Sequence, residues 1–328
     1  MTFQLLTRQT AAIFAAWLML QSAALAQSTS WPERQVRIIN PFPAGGASDN
    51  LTRIMSEELQ KRLGQTFLVE NRTGASGNIG MEAGANASAD GYTLLSATIG
   101  TLTINQHLFQ KLSYEPEALT YISSFWANCN VVMVSAQHNP SKSLNELIQW
   151  GKAQPKGISF GSSGVGTTPH LAGELFQLRT GIRSTHVPTR GGPQTVALLL
   201  GGEIDMSIDN IASYAAFLAN GQVRALAVTC PERWPTLPSV PTMAEAGMPD
   251  FVITSWGMFA APAGTPQPIA QKLSRTMAEI AADESVQKRF LAAGARLTSS
   301  SPAESTAFAV RERKRWGDVI RTTGIKIQ

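Results

Sequence analysis

Val36-Arg37-Ile38-Ile39-Asn40-Pro41-Phe42-Pro43-Ala44-Gly45-Gly46-Ala47-Ser48-Asp49 is the stretch that decides the fold class. Its β-branched start predicts a strand, its Pro and Gly residues a turn, and the pattern from Ser48 to Leu63 a helix. The same sequence of events recurs outward along the chain. Phe67-Leu68-Val69 precedes a helical pattern from Asn78 to Ala87, and further strands are predicted at Tyr92 to Ser96 and Asn130 to Ser135. A second series follows, with strands at Ile158 to Phe160, Thr185 to Val187, Ile204 to Ile208 and Val223 to Val228 and helices between them. Strands alternating with helical segments imply parallel sheet with crossover helices, an α/β architecture. Trp256 to Ala261 reads as one more strand. It is followed by a helix over about Pro268 to Ala282 and by another opened by Ser301-Pro302-Ala303-Glu304, a capping box with Pro at the first helical position. The run Arg311-Glu312-Arg313-Lys314-Arg315 in that last helix reads as a solvated face.

The composition removes several classes of function. With 328 residues, 43% hydrophobic and 15% charged, the chain is globular and large enough for two domains. Its 27 Lys and Arg against 23 Asp and Glu leave an excess too dispersed for a nucleic-acid face. Cys129 and Cys230 are too far apart for a CxxC motif and are read as two buried free thiols, although an exported protein can bridge them. The four histidines, His107, His138, His170 and His186, form no HExxH, and His170 with Glu174 makes a capping or surface pair, not a metal site. No cofactor is expected. At the N-terminus, Arg8, the apolar run Ala11 to Leu20 and Ala24-Leu25-Ala26 predict a signal peptide over residues 1–26, cleaved after Ala26. No later run is long enough to span a membrane, so the mature protein is expected to be soluble and outside the cytoplasm.

The glycines carry the functional signal. Four strand ends lead through small-residue turns into helices, which aims free backbone N–H groups at one region and suits an anion. In the first, Phe42, Ala44, Gly45 and Gly46 let backbone approach a ligand, while Ser48 and Asp49 can cap the helix. The second is Gly161-Ser162-Ser163-Gly164-Val165-Gly166-Thr167-Thr168, with His170 just inside the helix; the third is Thr189-Arg190-Gly191-Gly192; the fourth is Ser207-Ile208-Asp209-Asn210. None is a P-loop, a dinucleotide fingerprint or a GxSxG nucleophile elbow. His170 beside Ser162 and Ser163 is the one arrangement an exported hydrolase could use, and a helix-start role accounts for it better. The residues predict uncharged donors for a small carboxylate, with Arg190 as the available cation.

At these residues the chain resembles the Bug-type periplasmic solute-binding receptors of tripartite tricarboxylate transport systems. The resemblance runs from Trp31-Pro32 and Asn40 to Gly46 through Val69-Glu70-Asn71-Arg72, Gly77-Asn78-Ile79-Gly80 and Asp90 to Leu95. It continues in Ser162-Ser163-Gly164, His170 to Leu175, His186-Val187-Pro188, Leu226 to Thr229, Val240-Pro241-Thr242 and Ala261 to Pro266. It implies a two-lobe periplasmic-binding-protein fold, each lobe a mostly parallel sheet flanked by helices, with the ligand cleft at the hinge. Lobe 1 would comprise residues 27–125 plus 251–328, and lobe 2 residues 126–250. It also places Thr98 and Thr101 on one wall with the Phe42 to Asp49 loop, opposite Ser162, Ser163, Gly164, Thr167, Thr168 and the loop of Thr189, Arg190 and Gly191. The implied role is a monomeric, non-enzymatic receptor that captures a small carboxylate and delivers it to membrane transporter subunits; a ligand-sensing adaptor is the alternative. Relatives usually read Val-Pro-Tyr-Lys-Gly where this chain has Val187-Pro188-Thr189-Arg190-Gly191, so this loop is expected to tune ligand identity.

Overall fold

The computed structural model describes residues 30–323; the leader expected over residues 1–26 lies outside them. In chain order the strands are β1 (Val36–Asn40), β2 (Phe67–Asn71), β3 (Thr93–Thr98), β4 (Thr120–Ser135), β5 (Ile158–Ser162), β6 (Ser184–Pro188), β7 (Met206–Asn210), β8 (Val223–Val228), β9 (Thr254–Ala261) and β10 (Arg296–Leu297). The helices are α1 (Ala47–Leu63), α2 (Asn78–Ala85), α3 (Asn105–Leu108), α4 (Leu144–Ala153), α5 (Thr168–Thr180), α6 (Gly192–Gly201), α7 (Ile211–Ala219), α8 (Gln267–Ala281), α9 (Glu284–Ala292) and α10 (Pro302–Thr323). A π-helical turn, Gly100–Ile104, leads into α3.

One mixed sheet runs β2-β1-β3-β9-β4-β7-β5-β6, with β8 and β10 also paired to β4. The expected parallel alternation holds at each end, where β1 pairs with β2 and β3, and β5 with β6 and β7. Between these ends, β9 and β4 run antiparallel to their neighbours. Here β4 changes partners. Thr120 to Cys129 follow β9, whereas Asn130 to Ser135 follow β7 and β8. The fold is therefore the two-lobe α/β arrangement, with β4 carried through both halves of the sheet.

Several boundaries differ from those predicted. β4 starts ten residues before Asn130, because register shifts at Tyr121/Ser123 and Ser124/Trp126 break its period of two. β7 lies two residues later than Ile204 to Ile208, and α9, capped by Asp283 accepting from Ser285 N at 3.0 Å, was not foreseen. The capping box forms as predicted: Ser301 N donates to Glu304 Oε2 at 2.8 Å and Glu304 N to Ser301 Oγ at 3.2 Å. The basic run is not all solvated. Arg313 is buried, donating to the Leu102 carbonyl at 3.3 Å and the Tyr121 hydroxyl at 2.8 Å, with Glu117 2.8 Å away. No helix among the described residues is long and apolar enough to cross a membrane.

Cys129 and Cys230 form a disulfide, with Cα atoms 5.3 Å apart, which corrects the expectation of free thiols. Sequence distance concealed this because β8 returns the chain to β4. The preceding residue, Thr229, bonds to β4 and to the segment that enters β9: its Oγ1 accepts from Asn130 N at 3.0 Å and donates to Ile253 O at 2.5 Å. Closing a loop of 101 residues restricts the unfolded chain strongly. Replacing both cysteines by serine is expected to lower the unfolding free energy by about 2–4 kcal/mol in denaturant melts. An unchanged midpoint would show that the bridge contributes nothing to stability.

Candidate functional site

Four helices begin at one cavity of about 60 Å³. Gly46, Ala47 and Ser48 open α1, Thr167 to Pro169 open α5, Gly191 and Gly192 open α6, and Asn210 precedes α7, which adds Ser213. The first-turn N–H groups of a helix have no intrahelical acceptor and carry the positive end of its dipole. Thr98, Ile99 and Gly100, at the end of β3, complete the rim, and Trp126 of β4 and Ser255 of β9 lie at its base. None of the lining residues is charged. The hydroxyls of Thr98, Thr168 and Ser255 are bonded to no other group among the described residues, which leaves three donors facing the space.

The walls meet. Ala47 N donates to Ser213 Oγ at 3.3 Å, and a Cβ at Gly191 would stand 2.7 Å from the Pro43 ring. Gly45 turns at φ +77°, a left-handed conformation that favours glycine. It is held there by Asp49, whose carboxylate accepts from Gly45 N at 2.9 Å, Arg53 Nε at 2.9 Å and Asn71 Nδ2 at 2.8 Å.

Of the predicted ligand-binding residues, Phe42, Gly46, Ser48, Thr98, Ser163, Thr167, Thr168 and Gly191 line the cavity. The others stand back from it. Asp49 is buried and holds the turn through Gly45 N without a side-chain cap on α1, and Ala44 and Gly45 are exposed at the turn. Thr101 ties Thr98, accepting from its N at 3.0 Å. Thr189 is turned inward, bonding Thr195 at 2.8 Å and Ser162 O at 2.9 Å, and Arg190 is exposed, so the expected cation is not in the lining. Asp209 is fully buried behind Ser163, whose Oγ donates to it at 2.6 Å; Asn210 N adds a second bond at 2.7 Å. Burial pushes its carboxyl pKa up, and these donors partly offset the rise. Gly164 uses its carbonyl to accept from Thr167 Oγ1 at 2.6 Å.

Sequence reasoning missed Trp126, Asn210, Ser213 and Ser255. Asn210 and Ser213 adjoin a loop already singled out, whereas Trp126 and Ser255 sit inside strands and carry no local signal. Pro43, Ala47, Ile99, Gly100, Pro169 and Gly192 are immediate neighbours of predicted residues.

The histidines also differ from expectation. Ser162 faces His186 Nε2 at 2.6 Å, not His170, and Ser162 is wholly buried outside the lining. His170 is buried too, and accepts from Gly166 N at 3.1 Å, so it caps the loop but is not a surface group. The two imidazoles stack with centroids 4.2 Å apart. Burial holds His170 down to about 4, and burial together with its neighbour holds His186 down to about 3. Among the described residues no cluster of three or more His, Cys, Asp or Glu could hold a metal ion.

This pair makes stability depend on pH. Both imidazoles are neutral in the folded protein and titrate near 6.5 when unfolded. Their contribution is complete above that value and is lost as pH falls toward about 4, because the unfolded state binds protons first. The wild-type melting midpoint is expected to fall more steeply between pH 6.5 and 4 than that of the His170→Gln/His186→Gln variant. Parallel curves would refute the assignment.

Comparison with known proteins agrees with this geometry. The profile of the tripartite tricarboxylate transporter family receptor matches residues 51–325. Protein BugT of Bordetella pertussis is 36% identical over 307 residues, covering 93% of this chain and 94% of its own. A Rhodopseudomonas palustris protein solved with adipate superposes at a TM-score of 0.88 with 35% identity, over 90% of this chain and 99% of the other. MatC of the same species, solved with bound malate, gives 0.82 with 29% identity, over 88% and 100%. On the profile match and these full-length likenesses, the chain belongs to the tripartite tricarboxylate transporter receptor family.

Proposed function

We propose that this protein is an extracytoplasmic receptor that captures a small carboxylate by closure of two lobes and delivers it to a tripartite tricarboxylate transporter. The observation that carries the reading is the convergence of four helix N-termini and three unpartnered hydroxyls on a cavity without a charged side chain. A carboxylate there replaces hydration with preset donors, and each hydrogen bond to an ionised group contributes about 1.5–3 kcal/mol. Adipate and malate in the two solved relatives support the same class of ligand.

The proposed lobes are residues 27–125 with 251–328, and residues 126–250. Support for this division comes from β4 changing partners between Cys129 and Asn130, and from the return strand β9, which starts at Thr254. Phe42, Gly46, Ser48 and Thr98 would act from the first lobe, and Ser163, Thr167, Thr168 and Gly191 from the second. Lobe closure would then bring complementary donors onto both sides of the ligand and exclude the water that competes for them.

The test is thermal unfolding and calorimetry on mature protein refolded free of carried-over ligand, against mono-, di- and tricarboxylates. A ligand at about 100 times its Kd adds about 2.7 kcal/mol and is expected to raise the midpoint by several degrees. A flat panel would overturn the proposal. Thr98→Val and Thr168→Val are each expected to weaken the binding acid about tenfold or more, with melting of the free protein little changed. Retained affinity in both would remove the hydroxyls from the site.

A further inference from the structure

Beneath the cavity, β4 presents Trp126, Asn128 and Asn130 at alternate positions along one face. Trp126 lines the cavity and lies opposite Gly257; Asn128 lies opposite Ser255, and Asn130 opposite Asn210, both of them lining residues. Directly opposed residues of an antiparallel pair point to the same side. The two asparagines therefore adjoin the base of the cavity.

Asn128 is 2% exposed and Asn130 0%, yet neither Nδ2 nor Oδ1 of either one has a hydrogen-bond partner, and Asn210 Oδ1 is likewise unpartnered. The backbone of Asn130 is fully engaged. Its N donates to Thr229 Oγ1 at 3.0 Å and its O accepts from Thr229 N at 2.9 Å, so the amide alone is free. Farther along the same face stand Val132 and Val134, buried in the apolar core. Two unsatisfied asparagines on this face run against the rule that buried polar groups are paired.

We infer that Asn128, Asn130 and Asn210 form a second, uncharged subsite that receives the far end of the ligand and selects a group able both to donate and to accept, a hydroxyl in its simplest form. This rests on the carboxylate reading above. Unpaired amide donors and acceptors together match a hydroxyl. A methyl group leaves them unpaired, and a second carboxylate offers acceptors only and brings a charge to a strip without a cation. The selected ligand is a hydroxycarboxylic acid, anchored by its carboxylate at the helix N-termini. A site built to bond a hydroxyl rejects the analogue that lacks it far more strongly than an apolar pocket rejects an added group.

Two matched series test this by calorimetry on the mature wild-type protein: hexanoate, adipate and 6-hydroxyhexanoate, and butyrate, succinate and 4-hydroxybutyrate. In the series that fits, the hydroxy acid is expected to bind at least tenfold more tightly than the other two. Asn128→Leu and Asn130→Leu are expected to bring that ratio toward one, whatever becomes of absolute affinity. Equal binding within the series, or a preference for the dicarboxylate, overturns the hydroxyl subsite and leaves the carboxylate reading intact. Binding by none of these acids overturns the hydroxyl subsite, and it overturns the carboxylate reading as well if the wider panel above is also flat. A wild-type preference that survives both substitutions moves the selectivity to other residues and overturns the assignment to this strip.

Discussion

Everything at this site hangs on a single strand that belongs to both halves of the sheet. Along β4, hydrogen bonds to β9 give way to hydrogen bonds to β7 and β8 between Cys129 and Asn130. At that point β4, β9 and the chain leaving β8 are tied together by Thr229 and by the Cys129–Cys230 bridge. A ladder that changes partners without a break fixes the separation of the two halves. The four helix N-termini inherit their convergence from this constraint.

The electrostatics of the cavity follow from the same arrangement. A fixed cation inside a cavity has to be desolvated, which is costly without a partner of opposite charge. Helix termini and hydroxyls provide positive potential as dipoles, at a smaller desolvation cost. Arg190, the one cation that the loops offered, lies at the surface, while Thr189 spends its hydroxyl on Thr195 and Ser162. That loop shapes backbone; it does not present charge. Asp209 adds a buried acidic group behind Ser163, and burial pushes its pKa up, the direction expected for a carboxyl without a cationic partner.

Legibility in the sequence divided along the range of the interactions. The strand-turn-helix units were readable because each is encoded within about thirty residues, whereas Asp49, read as a cap, bonds Gly45 in the turn and leaves α1 without a side-chain cap. Trp126, Asn128 and Ser255 were not readable, because their meaning arises when β4 and β9 pair across more than a hundred residues. The disulfide escaped for the same reason. Thr189, Arg190 and Asp209 show the converse: their residue type and loop position suit a ligand, yet they lie outside the cavity lining, because side-chain direction depends on the hydrogen bonds each can find behind the loop. His186 illustrates this, since only strand pairing between β5 and β6 brings it to Ser162.

The first wall of the cavity is supported from the far end of the chain. Ile99 and Gly100 face the cavity, and the π-helical turn that follows sends the Leu102 carbonyl to Arg313 of α10. A carbonyl in such a turn is poorly served by the turn's own hydrogen bonds, so an external donor has unusual leverage. Arg313 spreads the rest of its fork over Tyr121 and Glu117, and His107 Nε2 meets the Arg313 carbonyl at 3.0 Å. The buried arginine is thus the keystone of a polar contact among α10, the π turn and the start of β4. Any rotation of α10 against the sheet has to be accommodated by the turn that carries Gly100, which couples the packing of the last helix to the shape of the cavity.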